Sequence, residues 1–225
     1  MSKNKLRRFE ENSVNPFLIQ PQIIYPPTDH EIKGNWNSNF FKNSNPIVLE
    51  LGCGRGEYTV EMAKQNLSKN FIGIDWKGAR LWRGAKTTQL DKMNNTGFLR
   101  IQIQNIQHFF AHQEVDSIWI TFPDPQPQKT RERKRLTCPR FLEKYKAMLR
   151  PGGNIHLKTD NRDFYEYTLD IAKQYKLHSF TNDLYSSASE GNQNISSVVR
   201  EIKTTYEKKF LAEGSKICYL NFSFE

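Results

Sequence analysis

Four acidic residues stand out by where they fall. Glu50, Asp75, Asp124 and Asp160 each close, or closely follow, a short apolar run: IVLEL (Ile47 to Leu51), FIGID (Phe71 to Asp75), SIWITF (Ser117 to Phe122) and NIHLKT (Asn154 to Thr159). Runs of this length, rich in β-branched and aromatic residues and alternating with helical patterns, predict strands of a parallel sheet. In an open parallel sheet ligands bind beyond the carboxyl ends of the strands, so these carboxylates are expected to converge on one rim. Converging carboxylates suit a cation.

Glu50 stands in LELGCGRGE, which sets Gly52, Gly54 and Gly56 at alternate positions ahead of a helix. Glycines there let the backbone turn sharply and approach a ligand closely. A dinucleotide turn spaces its glycines G-x-G-x-x-G around a pyrophosphate, whereas this G-x-G-x-G lies behind a carboxylate that would repel one. S-adenosylmethionine, with its ammonium and sulfonium, fits an acidic turn, and Asp75 at the next strand end can accept hydrogen bonds from both ribose hydroxyls. Asn105 follows a further candidate strand, FLRIQI (Phe98 to Ile103), where its amide can meet an adenine edge or serve only as a turn residue.

Asp124 is held between Pro123 and Pro125 in TFPDPQPQKTRERKRLT. The prolines restrict the backbone on both sides, fixing a carboxylate beside the cofactor turn as a reaction centre needs; the competing reading is a proline-rich turn with an incidental Asp. Just downstream, Lys129, Arg131, Arg133, Lys134 and Arg135 crowd seven residues whose only acid is Glu132. Such a run is either a solvated face or a grip on phosphates next to the chemistry. Asp160, in HLKTDN (His156 to Asn161), reaches the same rim, caps the next helix, or does both. In TTYEKKFLAEG, Tyr206 can stack on an exposed base and Glu207 can accept from guanine N1 and N2, or the segment is an ordinary amphipathic helix.

The elements that must position these groups include helices over Glu57 to Gln65, Gly78 to Met93, Pro139 to Leu149 and Asp163 to Tyr175, with Gly152 and Gly153 ending the third. Residues 1–45 lack sustained periodicity and are expected as a basic, extended, partly mobile arm with Lys3, Lys5, Arg7 and Arg8, ahead of a folded domain over 46–225. Ser186 to Ser197 is too long and polar for a routine connection, and ICYLNFSF (Ile217 to Phe224) suits a late antiparallel strand at a sheet edge. Of the 225 residues, 33 are Lys or Arg and 24 Asp or Glu, a net charge of +9 that favours a polyanionic partner or merely maintains solubility. Cys53, Cys138 and Cys218 are far apart, which predicts reduced thiols and no metal site. No apolar run has signal-peptide or membrane length, so a cytoplasmic protein away from membranes is expected.

In order and spacing, LELGCGRGE, FIGIDWKGAR, WITFPDP, KRLT, LRPGG, LKTDN and TTYEKKF resemble the bacterial tRNA (guanine-N7)-methyltransferases, from about Pro46 to the C-terminus. The resemblance implies an α/β, Rossmann-like class I methyltransferase fold: seven strands, mostly parallel with the last antiparallel, and helices on both faces. It implies methylation of the variable-loop guanine of tRNA, by a monomer or homodimer with no obligatory protein partner. Glu50, Asp75, Asn105 and Asp124 would contact S-adenosylmethionine together with the glycine turn, and Asp124 would also be the catalytic residue. Asp160 and the stretch Thr204, Thr205, Tyr206 and Glu207 match substrate-binding positions. The chain departs from the family pattern at Asn105, where Asp is usual, at Gln126, where Trp is usual, and at Gln128, where a substrate-binding lysine is usual and Lys129 is the neighbouring stand-in. Rival readings are a methyltransferase for another base, another RNA or a small molecule, and a tRNA-binding module without catalysis. A nicotinamide dehydrogenase is disfavoured by the glycine spacing.

Overall fold

Strand β2 (Ile47–Leu51) is buried at all five positions, as a strand covered on both faces must be. In the computed structural model, which describes residues 3–22, 25–186 and 195–225, it lies mid-sheet between β3 (Asn70–Asp75) and β5 (Val115–Thr121), parallel to both. With β1 (Leu18–Ile19), β4 (Thr96–Arg100), β6 (Leu149–Thr159), β7 (Lys176–Thr181) and β8 (Cys218–Ser223) the order is β1-β4-β3-β2-β5-β6-β8-β7. Only β8 runs against its neighbours, β6 and β7. The helices are α1 (Lys3–Ser13), α2 (Glu57–Gln65), α3 (Gly78–Leu90), α4 (Pro139–Met148), α5 (Arg162–Ala172), α6 (Ser197–Glu201) and α7 (Thr205–Ala212).

The register aligns the strand ends that matter. Leu51 pairs with Ile74 on one side and Ile120 on the other, and Thr121 pairs with Lys158, so the turns that follow β2, β3, β5 and β6 leave the sheet on one rim. Apolar side chains cover both faces: Leu142, Tyr145 and Phe164 pack in one cluster with Leu49 and Ile118, while Tyr58, Met62 and Val199 pack in another with Val48 and Trp119.

Several expectations are corrected. Among the described residues the sheet has eight strands, because Leu18–Ile19 adds a two-residue parallel strand beside β4. The strand expected at 98–103 ends at Arg100, and Ile103–His108 winds into a 3-10 turn. Gly152 and Gly153 do not stop α4, which ends at Met148; they form an irregularity inside β6, Gly152 at φ 71°. The segment expected as an extended arm is largely docked. Asn12 of α1 is buried, and Ile32, Trp36 and Phe41 enter the main core, Trp36 donating from Nε1 to the Phe109 carbonyl at 2.9 Å. Its anchors are single apolar residues on separate turns, which leave no periodic trace. Most of the Ser186 to Ser197 loop lies outside the described residues.

Candidate active site

The glycine turn is built by backbone geometry that side chains resist: Gly52, Gly54 and Gly56 have φ of 74°, 56° and 70°. A Cβ on Gly54 would meet nothing within 4 Å, so this part of the turn faces open space. The turn is stitched to β3, since Gly52 N–H donates to the Ile74 carbonyl at 2.8 Å and Gly54 N–H to Asp75 Oδ2 at 3.0 Å. Asp75 Oδ1 accepts from Lys77 N–H at 2.7 Å. Thus Asp75 shapes the turn, and each oxygen keeps a lone pair for a ligand.

Glu50 is 1% exposed beneath the turn. One carboxylate oxygen accepts from both the backbone and hydroxyl of Thr59, the other from the Thr121 hydroxyl at 2.5 Å. Burial pushes its pKa up to about 7 against these hydrogen bonds. The unfolded chain releases this proton near the ordinary glutamate value of 4.5, so the folded state is the tighter proton binder between the two values. Stability from this group is therefore full below about 4.5 and lost as pH rises through about 7, by on the order of 3 kcal/mol. Urea unfolding at pH 5 and pH 8 should show that decrement in the wild type and not in Glu50→Gln; equal decrements would refute it.

Above Glu50 opens a cleft of about 350 Å³, whose lining includes Gly54, Glu57, Asp124, Asp160, Thr204 and Tyr206. Asp124 is exposed, and its Oδ1 accepts from Gln126 N–H at 3.1 Å. Phe122 and Gln126, flanking the Pro-Asp-Pro turn, take left-handed φ of 47° and 46°. Such conformations persist only where the surroundings enforce them. Here Phe122 N–H donates to the Lys158 carbonyl at 2.8 Å, and its ring lies 6.0 Å from Phe210 on α7. Asp160 is half-buried, and desolvation raises its carboxyl above the ordinary range. The cap of α5 falls to Asn161, which accepts from Phe164 N–H at 2.8 Å, so Asp160 is left to the cleft.

The far wall is α7. Thr204 caps it, and Thr205 docks it onto the start of α2 by donating backbone and hydroxyl to Glu57 at 2.6 and 2.8 Å. Tyr206 is half exposed at the rim. Glu207, expected to meet a guanine, points elsewhere. It is fully buried, paired with Lys158 Nζ at 2.8 Å and accepting from the Tyr185 hydroxyl at 2.6 Å. One residue along a helix rotates the side chain by about 100°, so Tyr206 and Glu207 cannot both face the cleft. Lys158, also fully buried, donates to the Val199 and Ile202 carbonyls at 2.6 and 3.0 Å, at the C-terminal end of α6.

Asn105 is not beside Asp124. It lines a second cleft of about 470 Å³ at the ends of β3 and β4, with Trp76, Arg100, Asp29 and His30. Asp75 lines neither cleft. Gln128 and Lys129 lie exposed at the start of a 3-10 turn (Lys129–Lys134), outside both clefts. Sequence reasoning missed Arg55, Glu57, Arg80 and Phe122 in the lining. It also missed Lys158, whose signal was a charge inside an apolar strand run. Among the described residues no cluster of His, Cys, Asp and Glu can hold a metal, and no helix is long and apolar enough to cross a membrane.

A family model described as "Putative methyltransferase" matches residues 44–220. The chain is 48% identical to the tRNA (guanine-N(7)-)-methyltransferase of Christiangramia forsetii over 98% of both chains. It is also 48% identical to that of Porphyromonas gingivalis, over 92% of this chain and 82% of the relative. The 16S rRNA methyltransferase KamB superposes with a TM-score of 0.61 at 13% identity, covering 87% of this chain and 95% of that one, a likeness of fold alone. Family model, full-length relatives and the eight-stranded sheet agree, and the chain belongs to the bacterial tRNA (guanine-N7)-methyltransferase family.

Proposed function

We infer that this chain transfers the methyl group of S-adenosylmethionine to N7 of the variable-loop guanine, position 46 of tRNA. The observation that carries the inference is the single rim on which the left-handed glycine turn, the Pro-Asp-Pro turn and Asp160 enclose one cleft, in a chain of this family.

The residues present fit the cofactor. Gly54 offers open space for a close approach, and Glu57, Asp124 and Asp160 in the cleft lining offer carboxylates to an ammonium and a sulfonium, beside Arg55 and Arg80. Neighbouring strands lie about 4.8 Å apart, so the three intervals from β5 to β4 span roughly 14 Å. Across such a span Asp75 would hold the ribose hydroxyls and Asn105 would meet the adenine edge of the bound cofactor. Glu50 serves the site from below, bracing the turn through Thr59 and Thr121.

When bound, S-adenosylmethionine supplies an electrophilic methyl group. Guanine N7 brings an in-plane lone pair and no proton, so Asp124 need not act as a base. Its carboxylate faces the cationic charge that develops on the purine, with half-buried Asp160 adding to that field. Tyr206 offers a stacking face for the base, with Thr204 beside it, and Thr205 holds their helix in place. Gln128 and Lys129 open the basic turn that takes the RNA backbone. The enzyme works on tRNA in the cytoplasm, as a monomer or homodimer without an obligatory protein partner.

Incubation of unmodified tRNA with the protein and labelled S-adenosylmethionine, followed by borohydride–aniline cleavage, should cut the chain at the variable-loop guanine. Label incorporated without scission there would refute the N7 assignment.

A further inference from the structure

The reaction cleft has basic side chains on both flanks: the Lys129–Lys134 run and the Lys3, Lys5, Arg7 and Arg8 cluster were legible in the sequence, and the basic positions of α3 that join the latter to the cleft were not. Helix α3 leaves the rim from β3 and the Lys129–Lys134 turn leaves it from β5, with β2 between them. Over its thirteen residues α3 carries no acidic side chain. Lys77 precedes it, and Arg80, Arg83 and Lys86 follow at three-residue steps, with Arg80 lining the cleft together with Arg55. Among the described residues none of Arg55, Lys77, Arg80 and Arg83 has an ion-pair partner. Lys77 and Arg80 sit at the N-terminal end of the helix, where the macrodipole disfavours cations. Stability does not explain their placement.

The stripe continues onto α1. That helix is fixed against α3 by Asn12 Nδ2 donating to the Gly78 carbonyl at 2.8 Å and by Trp82 Nε1 donating to Glu11 Oε2 at 3.0 Å. The Arg8 guanidinium lies 4.9 Å over the Trp82 ring. Glu11, the acid facing α3, is already matched by Arg7 at 3.5 Å and Lys86 at 3.4 Å. Asn12 meets the start of α3 and Arg8 its middle, so the N-terminal half of α1, with Lys5, runs toward the far end of α3.

We propose that the α1–α3 face is a second phosphate-binding surface, which holds the tRNA backbone on the flank of the cleft opposite the Lys129–Lys134 turn. This rests on the functional reading above. A polyanion far larger than the cleft is then gripped on both sides of the reacting base, which adds binding free energy and leaves the chemical step to the cleft. Lys77, Arg80 and Arg83 continue the track outward from the cleft, and Lys5 and Arg7 extend it over α1.

The test is the salt dependence of tRNA binding by the full chain. In a Lys5→Gln, Arg7→Gln, Arg83→Gln variant, the slope of log K against log salt should shrink by about 2 to 3, roughly one per lost phosphate contact. The Kd at about 0.1 M salt should rise at least about tenfold. Affinity for S-adenosylhomocysteine and kcat at saturating tRNA should stay as in wild type. A second variant guards against a folding defect in the first: Leu90, 68% exposed, lies seven residues past Arg83 on the same helical face, and Leu90→Lys should tighten tRNA binding severalfold. An unchanged slope in the triple variant, or no gain with Leu90→Lys, overturns the proposed face while wild-type methylation still supports the activity. A wild type that neither binds nor methylates tRNA sinks the functional reading, and this surface with it.

Discussion

Lys158→Ala should destabilise the protein by about 3 to 5 kcal/mol, because it strands the buried Glu207 carboxylate without its partner. It also leaves the Val199 and Ile202 carbonyls without this donor. Burial pulls the Lys158 ammonium below its usual range, and Glu207 acts in the opposite sense, holding it charged. The consequence reaches the cleft, because the Lys158 side chain ties β6 to α6 and, through Glu207, to α7, the helix that carries Tyr206. Replacing the pair by apolar groups of similar volume, Lys158→Met with Glu207→Leu, should recover most of the stability measured by urea unfolding. It should also recover methylation at saturating tRNA. A double variant that folds as tightly as wild type yet stays inactive would show that the pair serves the reaction beyond stability.

Asp124→Asn should lower kcat by about 100- to 1000-fold, the range seen when one preorganised electrostatic partner of a transition state is removed. The variant isolates charge, because an Asn oxygen can still accept from Gln126 N–H and the flanking prolines are untouched. Thermal melting should therefore change little, and the rate is read at saturating S-adenosylmethionine so that any loss of cofactor affinity is kept out of kcat. Steady-state methylation of tRNA decides the matter, and a rate within a few-fold of wild type would remove Asp124 from the reaction.

The parts of the fold that sequence made legible are those where one physical demand dominates. β2 and α2 match the expected spans because a fully buried strand must be a continuous apolar run and the three glycines mark its end. β7 escaped notice because it mixes polar and apolar residues at the sheet's edge, burying Ser179 and Thr181 while exposing Phe180. The docked N-terminal segment escaped because Ile32, Trp36 and Phe41 bury themselves one at a time. In the site, the meeting of Glu50, Asp124 and Asp160 at one cleft was readable from position, since register brings strand ends together, whereas Asp75 turns its oxygens to the glycine turn and lines no cleft. Side-chain direction was not: Glu207 turns into the interior, and Asn105 falls in the neighbouring cleft. The cap on α5 shows how fine the margin is, with Asn161 taking it and Asp160 one residue earlier left to the cleft.

β8 is threaded between β6 and β7, and β7 joins the sheet only through it. Before that strand inserts, or if it is nicked away, β6 and β7 each present a bare ladder of backbone donors and acceptors. Such unpaired edges template pairing with another chain. Partly folded molecules should therefore be most prone to self-association at this end of the sheet, whereas the glycine-turn half, closed by short-range parallel units, is spared that hazard.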